Sequence, residues 1–93
     1  MVTVTYTAAE HMAYMLSEQR VRDDIAWRIG FTKGLVEMQP DKIRPRDDTF
    51  DHNGKVVLVL DQQTSQFLAN KTIELVTDDD GSHLTLNYAG TIT

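Results

Sequence analysis

Carboxylates gather at two places in the chain, and each place is a candidate for holding a hard cation. Asp78-Asp79-Asp80-Gly81 sets three carboxylates side by side. Backbone oxygens converging on that turn would complete a Ca²⁺ or Mg²⁺ shell, but the spacing of a calcium loop with its distal bidentate Glu is missing. A solvated turn is the simpler expectation. The second group is Asp47, Asp48, Asp51 and His52, where the imidazole could act as nitrogen ligand or proton carrier with a carboxylate orienting it. Backbone hydrogen bonding in an Asp- and Asn-rich turn accounts for the same residues. His11, near the apolar margin of a helix, and His83, on a strand face, lie too far from His52 in sequence to compose a metal motif. No catalytic, cofactor-binding or metal-ligating residue is assigned, and no cofactor is expected.

Nucleophiles are equally unpromising. Ser17, Ser65 and Ser82 have neither a nucleophile-elbow context nor an obvious base, and the glycines form no phosphate-binding loop. The reading is therefore a protein that is not an enzyme. Cysteine is absent, which excludes a disulfide framework, a thiolate nucleophile and thiolate-held zinc or iron–sulfur sites. Met1, Met12, Met15 and Met38 are neutral thioethers at packing positions and do not replace cysteine.

The formal net charge of -5 and pI of 4.9 set the general field against phosphate backbones and anionic lipid, so neither nucleic acid nor membrane is an expected partner. Lys42, Arg44 and Arg46 make a small basic patch, but Asp47 and Asp48 follow at once and should neutralise it. No apolar run approaches the roughly 18 residues that span a bilayer. The opening MVTVTYTAAEH lacks the basic leader and apolar stretch of a signal peptide. The expectation is a cytoplasmic protein.

The elements that must position these residues fit in one domain, 1–93, with 41% apolar and 25% charged residues. Val2, Val4 and Tyr6 alternate as in a half-buried strand. Thr7-Ala8-Ala9-Glu10 then reads as a capping box opening a helix whose stripe is Ala9, Met12, Ala13 and Leu16 and whose end falls near Arg20 to Arg22. Ile25, Trp27, Ile29 and Phe31 share one strand face, with Trp27 and Phe31 as core residues. Thr32-Lys33-Gly34 turns into a strand at Leu35-Val36-Glu37-Met38, expected to stop before Pro40. Asp41 to Asp48 reads as a loop, Phe50 resumes strand pattern, and Asn53-Gly54 is a strong hairpin signal.

Val56 to Leu60 is apolar on both faces, which predicts a central strand covered by helices or by a partner chain. Asp61 caps a short helix from about Gln62 to Ala69, with Gln63, Phe67 and Ala69 supplying contacts. Two last strands, Thr72–Val76 and Ser82–Tyr88, are joined across Thr77 to Gly81, with Leu84, Leu86 and Tyr88 on one face. The order β-α-β-β-β-α-β-β, with no repeat, predicts an α+β fold: a small mixed β-sheet domain with two helices.

That order and spacing resemble the A-type iron–sulfur carrier family, the HesB-like domain. Thr5-Tyr6-Thr7-Ala8-Ala9-Glu10 is similar to the family's opening strand-to-helix segment, and Arg28-Ile29-Gly30-Phe31 to the Arg-containing strand that leads into its cysteine turn. Asp48-Thr49-Phe50 with Asn53-Gly54-Lys55-Val56-Val57-Leu58-Val59-Leu60-Asp61 resembles its acidic hairpin, apolar strand and closing Asp. Ser65, Phe67-Leu68 and Thr72-Ile73-Glu74-Leu75 resemble the short helix and following strand, and Gly81-Ser82-His83-Leu84-Thr85-Leu86-Asn87 the strand before the C-terminal tail.

The resemblance implies the fold and a place for three cysteines. The first would fall at 34–36 and the Cys-x-Cys pair beyond Asn87, and neither stretch contains one. What it implies for function is a HesB-like scaffold acting as a protein-interaction or regulatory module, linked to iron–sulfur cluster assembly but without its own cluster. A protein partner or a weak homodimer is the expected assembly. The alternatives are a divalent-metal-binding protein using Asp47, Asp48, Asp51 and His52 or the Asp78–Asp80 turn, and, ranked lower, a small hydrolytic enzyme.

Overall fold

The computed structural model describes residues 2–32 and 35–88, and the side chains among them other than those of 31, 32, 35, 36, 87 and 88. Nine elements follow in order: β1 (Thr3–Val4), α1 (Tyr6–Gln19), β2 (Ile25–Thr32), β3 (Leu35–Lys42), β4 (Asp48–His52), β5 (Lys55–Leu60), α2 (Gln62–Phe67), β6 (Lys71–Asp78) and β7 (Gly81–Tyr88). Four strands rather than three lie between the helices, because the Phe50 segment pairs as a strand of its own. The strands form two sheets, ordered β3-β2-β5-β4 and β1-β6-β7. The α+β class with two helices is what the sequence order predicts.

The central pair of the larger sheet is β2 and β5, parallel, with Trp27 opposite Leu58 and Arg28 opposite Val59. Val57, Leu58, Val59 and Leu60 are all fully buried. Side chains alternate along a strand, so both faces of β5 are covered. Both helices pack on β5, so this strand does not call for a partner chain. The core joins Ala8, Met12 and Leu16 of α1 to Trp27 and Ile29, to Leu58 and Leu60, and to Leu68 and Ile73. Trp27 also satisfies its polar edge: the indole Nε1–H donates to the Met12 carbonyl at 3.1 Å.

The entry to α1 differs from the capping-box expectation. Thr5, not Thr7, is the N-cap, with φ −69° and ψ 157°, and its hydroxyl accepts from the Ala8 N–H at 3.2 Å. The reason is tertiary: the Thr5 N–H donates to the Ile73 carbonyl, which holds Thr5 extended beside β6 and starts the helix one residue later, at Tyr6. Tyr6 is therefore an exposed helix residue and not the end of a strand. Arg20 closes α1 in the left-handed region, at φ 53°.

Pro40 does not end β3, which runs on to Lys42 and pairs Pro40 with Trp27. As an edge strand, β3 needs its ladder on one side only, so a residue without an N–H is tolerated. The expected loop shrinks to residues 43–47. Asn53 and Gly54, at φ 53° and 83°, make the hairpin turn between β4 and β5. Asp61 caps α2 by accepting from the Thr64 N–H at 2.7 Å. The buried residues of α2 are Thr64 and Ser65, with Leu68 at its end, whereas Phe67 is 64% exposed, contrary to the expected contacts. Lys33, Gly34 and residues 89–93, together with the side chains of Phe31 and Tyr88, lie outside the described residues. Among the described residues no helix is long and apolar enough to cross a membrane.

Candidate functional site

The carboxylates that sequence spacing groups together are separated by the fold into different local structures. Asp47 turns inward to Arg28, a strand residue only 8% exposed. The guanidinium donates to both Asp47 oxygens, Nη1 to Oδ1 at 3.0 Å and Nη2 to Oδ2 at 2.6 Å, and its Nε donates to Asp41 Oδ2 at 2.7 Å. Nη2 also reaches the Lys42 carbonyl at 3.0 Å. A planar donor fork matched to a carboxylate is the strong form of ion pair. Hydrogen bonding from Arg28, aided by the Arg44 N–H, holds the Asp47 carboxyl below its ordinary pKa. Asp41 is likewise lowered, first by the Lys42 N–H and then by Arg28. Arg28 is raised, chiefly by its bond to Asp47.

This hub pins loop 43–47 to the face of β2. The Arg44 N–H donates to Asp47 Oδ2 at 2.8 Å and the Arg44 guanidinium to Asp41 Oδ2 at 3.1 Å. Arg44 is thus neutralised locally, as the adjoining acids lead one to expect. Sequence reasoning missed Arg28 as the centre because Asp41 and Asp47 stand 13 and 19 residues away from it. The available signal was an arginine inside a strand whose neighbours on both sides are apolar.

Asp48 faces elsewhere: Ser65 Oγ donates to Asp48 Oδ2, and Gln62 Nε2 donates to the Arg46 carbonyl at 2.7 Å. These bonds tie α2 to the start of β4. Ser65 is buried, and its hydroxyl is taken up by the Asp48 carboxylate. Asp51 is exposed. The His52 ring lies 5.0 Å from that of Tyr6, tilted 60°. In the Asp78–Gly81 turn, the Asp80 N–H donates to Asp78 Oδ1 at 2.9 Å, an Asx turn of the kind that accounts for such residues. His83 is half exposed, 3.9 Å from Asp78. Among the described residues no group of three or more His, Asp or Glu side chains gathers as a metal site.

A second feature is an apolar cleft of about 390 Å³ between the two sheets, lined by Ile29, Met38, Ile73, Leu84, Thr85 and Leu86. Thr85 Oγ1 is buried without a hydrogen-bond partner among the described residues. Ile73 belongs to β6, and the other lining residues to β2, β3 and β7, the strands beside which the resemblance places its cysteines. The donor set does not fit an iron–sulfur cluster: the chain holds no thiolate, and its side-chain oxygens are hard ligands.

No family model matches the chain. Two curated relatives are the Fe/S biogenesis protein NfuA of Shewanella halifaxensis, 32% identical, and that of Shewanella piezotolerans, 31% identical. Each match covers 92% of this chain and 47% of the relative, so the chain spans about half the length of the curated relatives it matches. Among solved structures, Escherichia coli SufA, involved in biosynthesis of iron–sulfur clusters, superposes with a TM-score of 0.68 at 19% identity, covering 94% of this chain and 84% of SufA. IscA, solved with a [2Fe-2S] cluster, gives a TM-score of 0.65 at 13% identity, covering 95% and 85%. The strand order, the two helices and these superpositions together establish that the chain has the HesB-like fold of the A-type iron–sulfur carriers, and it contains no cysteine.

Proposed function

We propose that this domain is a non-enzymatic, cytoplasmic HesB-like scaffold that acts by binding a protein partner in iron–sulfur cluster assembly and carries no cluster of its own. The single observation behind the proposal is a carrier fold retained over nearly the whole chain with no cysteine in it. The similarity to Fe/S biogenesis proteins supports the link to that process. In this reading the cluster is cargo handled by the partner, and this domain contributes surface.

Two measurements test the proposal. Anaerobic reconstitution with iron and sulfide, followed by desalting, should leave no stoichiometric cluster spectrum. Affinity purification from the native cell should reproducibly capture an iron–sulfur assembly protein. A cluster surviving desalting, or catalytic turnover, overturns the reading. So does micromolar Mn²⁺, Fe²⁺ or Zn²⁺ binding that is lost in His52→Ala and unaccompanied by any specific partner. Light scattering across the micromolar range decides whether the partner is a second copy.

A further inference from the structure

Helix α1 buries Ala8, Ala9, Met12 and Leu16 and turns its other side to solvent. On that side Tyr6, Glu10, Tyr14 and Glu18 are all exposed and follow one another at intervals of four. Two of the three large hydrophobics exposed among the described residues are here, Tyr6 at 67% and Tyr14 at 60%. Residues four apart form a continuous ridge on a helix, the feature that inserts into the groove of a second helix in the commonest packing class.

Both rings are held in place. Tyr6 leans on the His52 ring, and the Tyr14 hydroxyl donates to Glu18 Oε1 at 3.0 Å. Immobilised aromatics lose little freedom on binding, and tyrosine pairs a large apolar area with a polar tip. The ridge is also anionic, since α1 contains no Lys or Arg from Tyr6 to Gln19. Glu18 sits in the last turn, where a carboxylate opposes the helix dipole and where helix stability alone would favour a basic residue. Arg20, exposed at the C-cap, marks the end of the acidic stretch.

We infer that the Tyr6–Glu10–Tyr14–Glu18 ridge is the docking face for a basic amphipathic helix of a partner protein, carrying Arg or Lys at four-residue spacing beside an apolar groove. The carboxylates take the cationic heads, and the tyrosine faces take guanidinium or ammonium groups and their aliphatic stems. Phosphate-rich partners are repelled by the same charges. This inference rests on the interaction-module reading and supplies its surface.

The test is titration of the ¹⁵N-labelled chain with a synthetic helical peptide of about 18 residues, bearing Arg and Leu at four-residue spacing in an Ala host. Two control peptides are used, one with the same residues scrambled and one with Glu in place of Arg. The expected result is amide shifts confined to α1 and the neighbouring His52, with the Glu peptide inert. Glu10→Gln, Glu18→Gln and Tyr14→Ala should each weaken binding, by roughly two- to fivefold for each charge. An unshifted Trp27 indole resonance certifies the fold of each variant. No shifts, equal binding of the scrambled peptide, or shifts centred on Asp78–Asp80 overturn the inference. Those results leave native partner capture untouched, whereas failure to capture a partner with the ridge peptide still binding defeats the functional reading alone.

Discussion

Replacing Asp47 by Asn keeps the side-chain shape and removes the charge that Arg28 faces most directly. The Arg28 and Asp47 side chains are only 10% and 3% exposed, so water cannot take over the lost role. Breaking a buried pair by removing one partner costs about 3–5 kcal/mol. Asp41, 28% exposed and 2.7 Å from Arg28 Nε, still offers partial compensation, which favours the lower end, about 3 kcal/mol. A chain of this length has a total stability of about 5–14 kcal/mol, and each kcal/mol is worth about 4–8 °C in Tm. Asp47→Asn should therefore lower Tm by about 12–24 °C.

The assay is urea unfolding followed by circular dichroism at pH 7 and then at steps down to about pH 2.5. Asp47 has its carboxyl lowered by folding, so its contribution is complete above the ordinary carboxylate value of about 3.9 and is lost as pH falls through the folded value. The gap between the native chain and Asp47→Asn should accordingly narrow on acidification below about pH 4. Arg28→Lys should not restore the native stability, because an ammonium lacks the guanidinium fork. Arg28→Met combined with Asp47→Leu should recover part of the loss, because neither charge is then stranded. The Arg22–Asp24 pair, with Arg22 82% exposed, is the control, and Arg22→Ala should cost no more than about 1 kcal/mol. If Asp47→Asn costs no more than that control, or the gap fails to close in acid, the buried-hub reasoning is refuted.

Thr5→Ala should cost about 0.5–2 kcal/mol by removing the α1 cap, while Thr7→Ala stays within about 0.5 kcal/mol, both read by thermal melts. Leu58→Ala, at a fully buried site of the central strand, should cost about 2–5 kcal/mol in denaturant unfolding. Trp27→Phe should cost about 1–3 kcal/mol, since the donation to the Met12 carbonyl disappears inside the core, and a loss below about 0.5 kcal/mol would show that the bond contributes nothing.

Period and turn chemistry were readable from the residues themselves. The alternation at Ile25, Trp27 and Ile29, the Asn53-Gly54 hairpin, the Asp61 cap and the doubly apolar β5 all depend on neighbours within a few positions, where local sterics and hydrogen bonding decide the conformation. The lack of thiolates, which excludes a thiolate-held metal or cluster site built from this chain, is a property of composition and needs no structure. What the tertiary structure alone decided are choices between local options of similar energy. Thr5 and Thr7 are both competent caps, and a hydrogen bond to Ile73 across to β6 selects the first. Pro40 is a strand breaker or an edge-strand residue according to whether a neighbour lies on its second side. Asp47 reads as half of a turn cluster until the chain folds back and brings it to Arg28, because a bond spanning 19 residues leaves no trace in spacing.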